Sequence, residues 1–170
     1  MPVDYLLKLW GETAVDEAEA ESFFQSKHYF SIGLEHILQG YDHLLFIIGL
    51  LLLPLNFRHL VALVSTFTLA HSLTLALSVF NLVRFPAALV EAFIAGSIVY
   101  VAVENLWHLR SSKGKTSQLS PWQRRMIMTF LFGLIHGFGF SYLLTEIGLG
   151  EQVVGALLYF NLGVEVGQLL

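Results

Sequence analysis

Apolar residues come in five long blocks, 31–55, 60–83, 87–109, 123–147 and 152–170, separated by shorter polar stretches. A bilayer's hydrocarbon core is crossed by about 20 apolar residues in an α-helix. Each block is apolar throughout except at a few positions, and in lipid a helix satisfies every backbone N–H and C=O within its own segment. The punctuation agrees. Pro54 and Asn56 close the first block, Pro86 precedes the third, Ser120 and Pro121 open the fourth, and Gly148 with Gly150 precedes the fifth, all residues that start or stop helices. The pattern predicts an all-α, polytopic transmembrane bundle of at least five spans.

Composition strengthens that expectation. Of the 170 residues 55% are apolar and only 13% charged, with mean hydropathy +0.67, whereas a soluble domain carries about 25% charged residues. The absence of cysteine removes disulfides and thiolate ligands from consideration. Residues 1–28 are not expected to act as a signal peptide, because "DYLLKLW" is too short for an apolar signal core and follows an aspartate rather than a basic region. "ETAVDEAEAESFFQSK", residues 12–27, reads as a short acidic helix capping the bundle at the interface, or as a vestibule that attracts cations. The expected division is therefore an extracytoplasmic acidic segment, 1–28, and a transmembrane domain, 29–170.

Charge sets the orientation. "RSSKGKTSQLSPWQRR" carries Arg110, Lys113, Lys115, Arg124 and Arg125 with no acidic residue, which places it in the cytoplasm. Arg58 then falls on the same side, the amino terminus and "TEIGLGEQ" fall outside, and Arg84 is the dissenter. The protein is expected in the cell membrane, multi-pass, with its amino terminus extracytoplasmic. "VEVGQLL" ends in mid-helix without a polar flank, so a further helix is expected beyond it. Expected partners are the lipid bilayer and a divalent metal ion, with no nucleic acid; the sequence sets no oligomeric state.

A rise of about 1.5 Å per residue converts position into depth. His43 and His71 come out roughly 18 Å below the outer ends of their spans, His136 roughly 16 Å and Asn161 roughly 14 Å. Three imidazoles from three helices, with Asp42 beside one of them, thus share a layer near the midplane. On the first span His36 and His43 share one stripe and Glu35 and Asp42 another, with Gln39 joining the two. Thr68 lies one turn before His71, and Asn161, Glu165 and Gln168 follow the i, i+4, i+7 pattern. Glu91 is high on the third span and Glu104 with Asn105 low, so these residues together can line a polar track.

Plainer roles compete. Ser65, Thr68, Ser72, Ser97 and Ser141 each read most simply as hydrogen-bonding a neighbouring helix, and Gly133, Gly137 and Gly139 as thinning a helix for close packing. His28, His59 and His108 read as solvated interface residues. Asp42, His43, His71 and His136 resist that reading, because an ionisable group inside a membrane costs a few kcal/mol and marks a pathway or site.

Imidazole nitrogen with carboxylate oxygen suits Ni²⁺, Co²⁺, Zn²⁺ or Cu²⁺ and argues against Mg²⁺ and Ca²⁺. Asp42 either ligates or orients an imidazole. On a straight helix His36 stands about two turns, roughly 10 Å, from the Asp42–His43 pair, too far for one ion to touch both levels. A relay of sites is the expectation.

"GLEHILQGYDHLLFIIGLLLL", "FTLAHSLTL", "FGLIHGFGF" and "YFNLGVEVGQLL" resemble, in order, the successive motifs of the HupE/UreJ family of membrane proteins. That resemblance runs over roughly residues 30–170. It implies a nickel or cobalt permease in which His36, Asp42 and His43 handle metal on the first helix, with His136 the second contributor. Nickel members carry two histidines and a nearby glutamate where this chain has only His136, so the resemblance implies a divergent branch. Two other readings use the same residues. One is an intramembrane zinc hydrolase with three histidines on Zn²⁺ and Asp42 or Glu165 as general base. The other is a metal sensor that binds without translocating. Finally, "GLEH" at 33–36 recurs as "GLIH" at 133–136, a correspondence short enough to arise by chance, although inverted repeats are common in transporters.

Overall fold

In the computed structural model, residues 17–52, 56–110, 120–147 and 153–170 are described. Residues 12–16 of the acidic stretch, Pro54, positions 111–119 of the basic loop, Gly148 and Gly150 lie outside them, as does the side chain of His108. Among the described residues the secondary structure is six α-helices. They are α1 (Glu17–Gln39), α2 (Tyr41–Leu51), α3 (Phe57–Val79), α4 (Ala87–Arg110), α5 (Pro121–Ile147) and α6 (Val153–Leu169).

The first apolar block is not one helix. It comprises the end of α1 and all of α2, divided at Gly40, whose φ of −78° and ψ of 96° are extended. The backbone hydrogen bonds bracket the break: Gly40 N–H still donates to the His36 carbonyl at 3.0 Å, and its own carbonyl accepts from Leu44 N–H at 3.0 Å. Only glycine fits here. A methyl group would lie 2.6 Å from the His36 carbonyl oxygen and 2.9 Å from His43 Nδ1. Among the described residues two helices, Phe57–Val79 and Ala87–Trp107, are long and apolar enough to cross a membrane by themselves, while α2 and α6 are apolar but shorter.

Polarity is distributed inside out. Leu69, Leu82, Leu109 and Leu158 are each at least two-thirds exposed, while His43, His71 and His136 are at most 2% exposed. Water would reverse that distribution. A lipid surround accepts it.

Two helix pairs, α1 with α6 and α3 with α5, make the most intimate contacts, and glycine makes both possible. A Cβ at Gly33 would collide with the Phe160 carbonyl, and one at Gly163 with that of Phe30. In the other pair, a Cβ at Gly133 would lie 2.7 Å from the Phe67 carbonyl oxygen, and one at Gly137 would collide with the His71 carbonyl. In each pair, contacts advance in the same direction along both chains, so the partners are parallel. Small residues let parallel helices approach backbone to backbone in this way.

The recurrence of "GLEH" and "GLIH" therefore has a structural counterpart. Gly33 and Gly133 hold equivalent places, and each packs on the first phenylalanine of a matching stretch, "FNLG" (160–163) or "FTLA" (67–70). Ser65 meets Glu165 whereas His71 meets Asn161, so α3 and α6 run in opposite senses and the two pairs are antiparallel to each other. The seam between them carries the hydrogen bonds Ser65 to Glu165 (2.5 Å) and Thr68 to Gln168 (3.0 Å).

Candidate metal centre

The kink at Gly40 folds His43 back towards His36, so their ring centroids are 4.5 Å apart. This corrects the straight-helix expectation that one ion could not reach both levels, since the break removes the rise that would have separated them. His71, from α3, brings its ring to 5.9 Å from His36 and 6.2 Å from His43. His136, from α5, comes within 5.0 Å of His43. Donor atoms of His36, His43 and His71 lie within 4.8 Å of one another, as do those of Asp42, His43 and His136.

The surrounding hydrogen bonds assign the imidazole tautomers. Ser97 donates its hydroxyl to the Ile94 carbonyl at 2.7 Å, leaving its oxygen to accept from His136 Nε2–H at 3.2 Å. Asn161 donates from Nδ2 to the Leu157 carbonyl at 2.7 Å, which turns Oδ1 towards His71 Nδ1–H at 3.4 Å. His43 Nδ1–H donates to Asp42 Oδ1 at 3.1 Å. In each of these rings one nitrogen is held and the other is bare.

The bare nitrogens are His43 Nε2, His71 Nε2 and His136 Nδ1, joined by His36 Nε2; all four are buried and unpartnered. A buried polar atom without a partner costs about 1–3 kcal/mol, and here four such atoms are clustered. Metal-ligating histidines show this arrangement, with one nitrogen free and the other oriented by a carboxylate, amide or hydroxyl. Phe46, Phe67, Phe140 and Phe160 pack against the imidazoles, Phe140 closest at 4.0 Å from His36 between centroids. Their rings keep bulk water away from the cluster.

The remaining candidates divide. Asn161 holds His71. Thr68 is bound to Gln168 and Glu165 to Ser65, both in the seam between the helix pairs. Glu35 and Gln39 are exposed on α1, because the break at Gly40 parts their stripe from Asp42. Glu91 is exposed and lines a separate cavity of about 300 Å³ with Ser78, Arg84 and Ser141. Ser97 was legible only as a packing residue, yet it orients His136. Its only sequence signal is a hydroxyl at mid-helix depth on α4. Gly40 gave a clearer signal, as a helix-breaking residue inside the motif.

Helices with a lipid-suited surface around a cluster of imidazoles and a half-buried carboxylate, whose donors could hold a borderline cation, point to a class, membrane proteins that handle metal. The family described as HupE / UreJ protein matches residues 12–170, so the chain belongs to the HupE/UreJ family. Membership makes it a membrane protein of a family concerned with metal transport. No curated protein and no solved structure matched the chain.

Proposed function

We propose that this chain is a permease that carries a divalent transition metal, nickel or cobalt, across the cell membrane. Its polytopic bundle would have α1–α2, α3, α4, α5 and α6 as five crossings and the amino terminus outside. The carrying observation is the set of four imidazoles, each with a buried, unpartnered ring nitrogen, clustered inside the bundle. His36, Asp42, His43, His71 and His136 are the metal-handling residues of this reading. Asn161 and Ser97 keep two of the rings in the binding tautomer.

Passage requires the ion to exchange its water shell for nitrogen and oxygen ligands without being held too tightly to leave. Four imidazoles and one carboxylate provide that exchange, and Asp42 offsets part of the ion's charge. Beyond Phe46 and Phe132 a small cavity reaches Glu104, Asn105 and Thr129. Arg125 also lines it, and Glu104 on its wall pairs with Arg124 at 3.1 Å, which in turn donates to the Tyr100 hydroxyl at 3.2 Å. This is the route of departure towards the basic, cytoplasmic side. The hydrolase reading is not favoured, because the family's association is with transport.

Uptake of radioactive nickel or cobalt by cells producing the protein tests the proposal. Asp42→Asn and His43→Ala are each expected to reduce uptake to the level of cells without the protein, at equal protein abundance. Undiminished uptake in both would dismiss it.

A further inference from the structure

The donor atoms do not form a single cage. They form two groups of three, His36/His43/His71 and Asp42/His43/His136, that meet only at His43. We propose that these are two successive stations for one divalent cation, with His43 the ligand common to both, so that the ion is handed over without ever being released. The inference rests on the permease reading for the nature of its cargo.

Three observations favour two stations over one site. First, the stations have different surroundings. His36 packs against Phe140 and Phe160. His136 packs against Phe46, which in turn borders the cavity leading to Glu104. Second, their charge differs. The first offers imidazoles alone, whereas the second includes the Asp42 carboxylate, so a dication stripped of water is drawn from the first to the second. Third, the anchors are equivalent. His36 and His136 each stand three residues after the glycine that locks its helix pair, Gly33 or Gly133. Each parallel pair thus contributes one of them, and His43, on the short helix after the break, belongs to both groups.

His43 has one nitrogen to offer, because Nδ1 is given to Asp42 and Nε2 is bare. It therefore serves one ion at a time. Two dications sharing so small a space would also repel each other strongly in a poorly screened interior. Filling one station empties the other.

The test is titration of the purified, detergent-solubilised chain with Co²⁺ alone, followed by calorimetry and by the visible absorption of bound cobalt. The wild type is expected to bind one ion per chain. His71→Ala and His136→Ala should each still bind one ion, with affinity lowered by about 10- to 100-fold and with absorption spectra that differ from each other. His43→Ala, and the double variant His71→Ala/His136→Ala, should fall well below either single variant. If His71→Ala and His136→Ala each lose as much binding as His43→Ala, the site is one cage and the inference is overturned. Two ions per wild-type chain would overturn it as well, and that measurement needs no variant. Gel filtration identifies any variant that fails to fold, and His71→Gln with His136→Gln then replaces the pair. Two-station binding in a protein that takes up no metal would leave this inference standing and remove the permease instead.

Discussion

At the scale of single residues, the chemistry depends as much on what holds the imidazoles as on the imidazoles. A histidine that rotates freely, or takes the other tautomer, presents an N–H to the cation instead of a lone pair. Ser97 and Asn161 prevent that for His136 and His71. Ser97→Ala and Asn161→Ala are accordingly expected to lower nickel affinity by about 10- to 100-fold with little change in melting temperature, as read by calorimetric titration beside a thermal melt. Unchanged affinity in both would deny the hydroxyl and the amide their orienting role. The sequence made His43, His71 and His136 legible as co-planar, because depth in a membrane helix follows from counting residues. It left Ser97 hidden, because a serine that hydrogen-bonds its own helix and one that orients a ligand look alike in one dimension.

At the scale of elements, glycine decides the geometry. The break at Gly40 and the close approaches at Gly33 and Gly133 place the rings where straight, evenly spaced helices would not. Helices read from apolar blocks matched the later elements well, since block and helix coincide for α3, α4 and α5 to within a few residues. The first block failed as a single helix because Gly40 is one polar-neutral letter in an otherwise helical pattern, and nothing in the periodicity marks a change of axis there. Gly33→Ala and Gly133→Ala should each lower the melting temperature of the solubilised protein, because forcing a methyl into a backbone contact costs about 1–3 kcal/mol. Gly96 faces open space, so Gly96→Ala should be neutral or stabilising. Equal behaviour of all three would contradict the glycine-locked pairing.

At the scale of the whole molecule, two parallel helix pairs set antiparallel to each other enclose a polar centre and turn leucine and valine outward. That arrangement explains how one chain tolerates Asp42 and four histidines among aliphatic surroundings: His43, His71 and His136 each have one ring nitrogen held, and the bare nitrogens are gathered inside the bundle. The overall helical class was legible from hydropathy alone, whereas the pairing of α1 with α6 was not, since it joins segments more than a hundred residues apart through backbone contacts. The most direct test is anomalous scattering at the nickel absorption edge from crystals of the metal-soaked protein. A peak within bonding distance of His43 and of ligands from at least one other helix is the predicted result. Nickel bound only at surface carboxylates, with the buried histidines bare, would contradict the account.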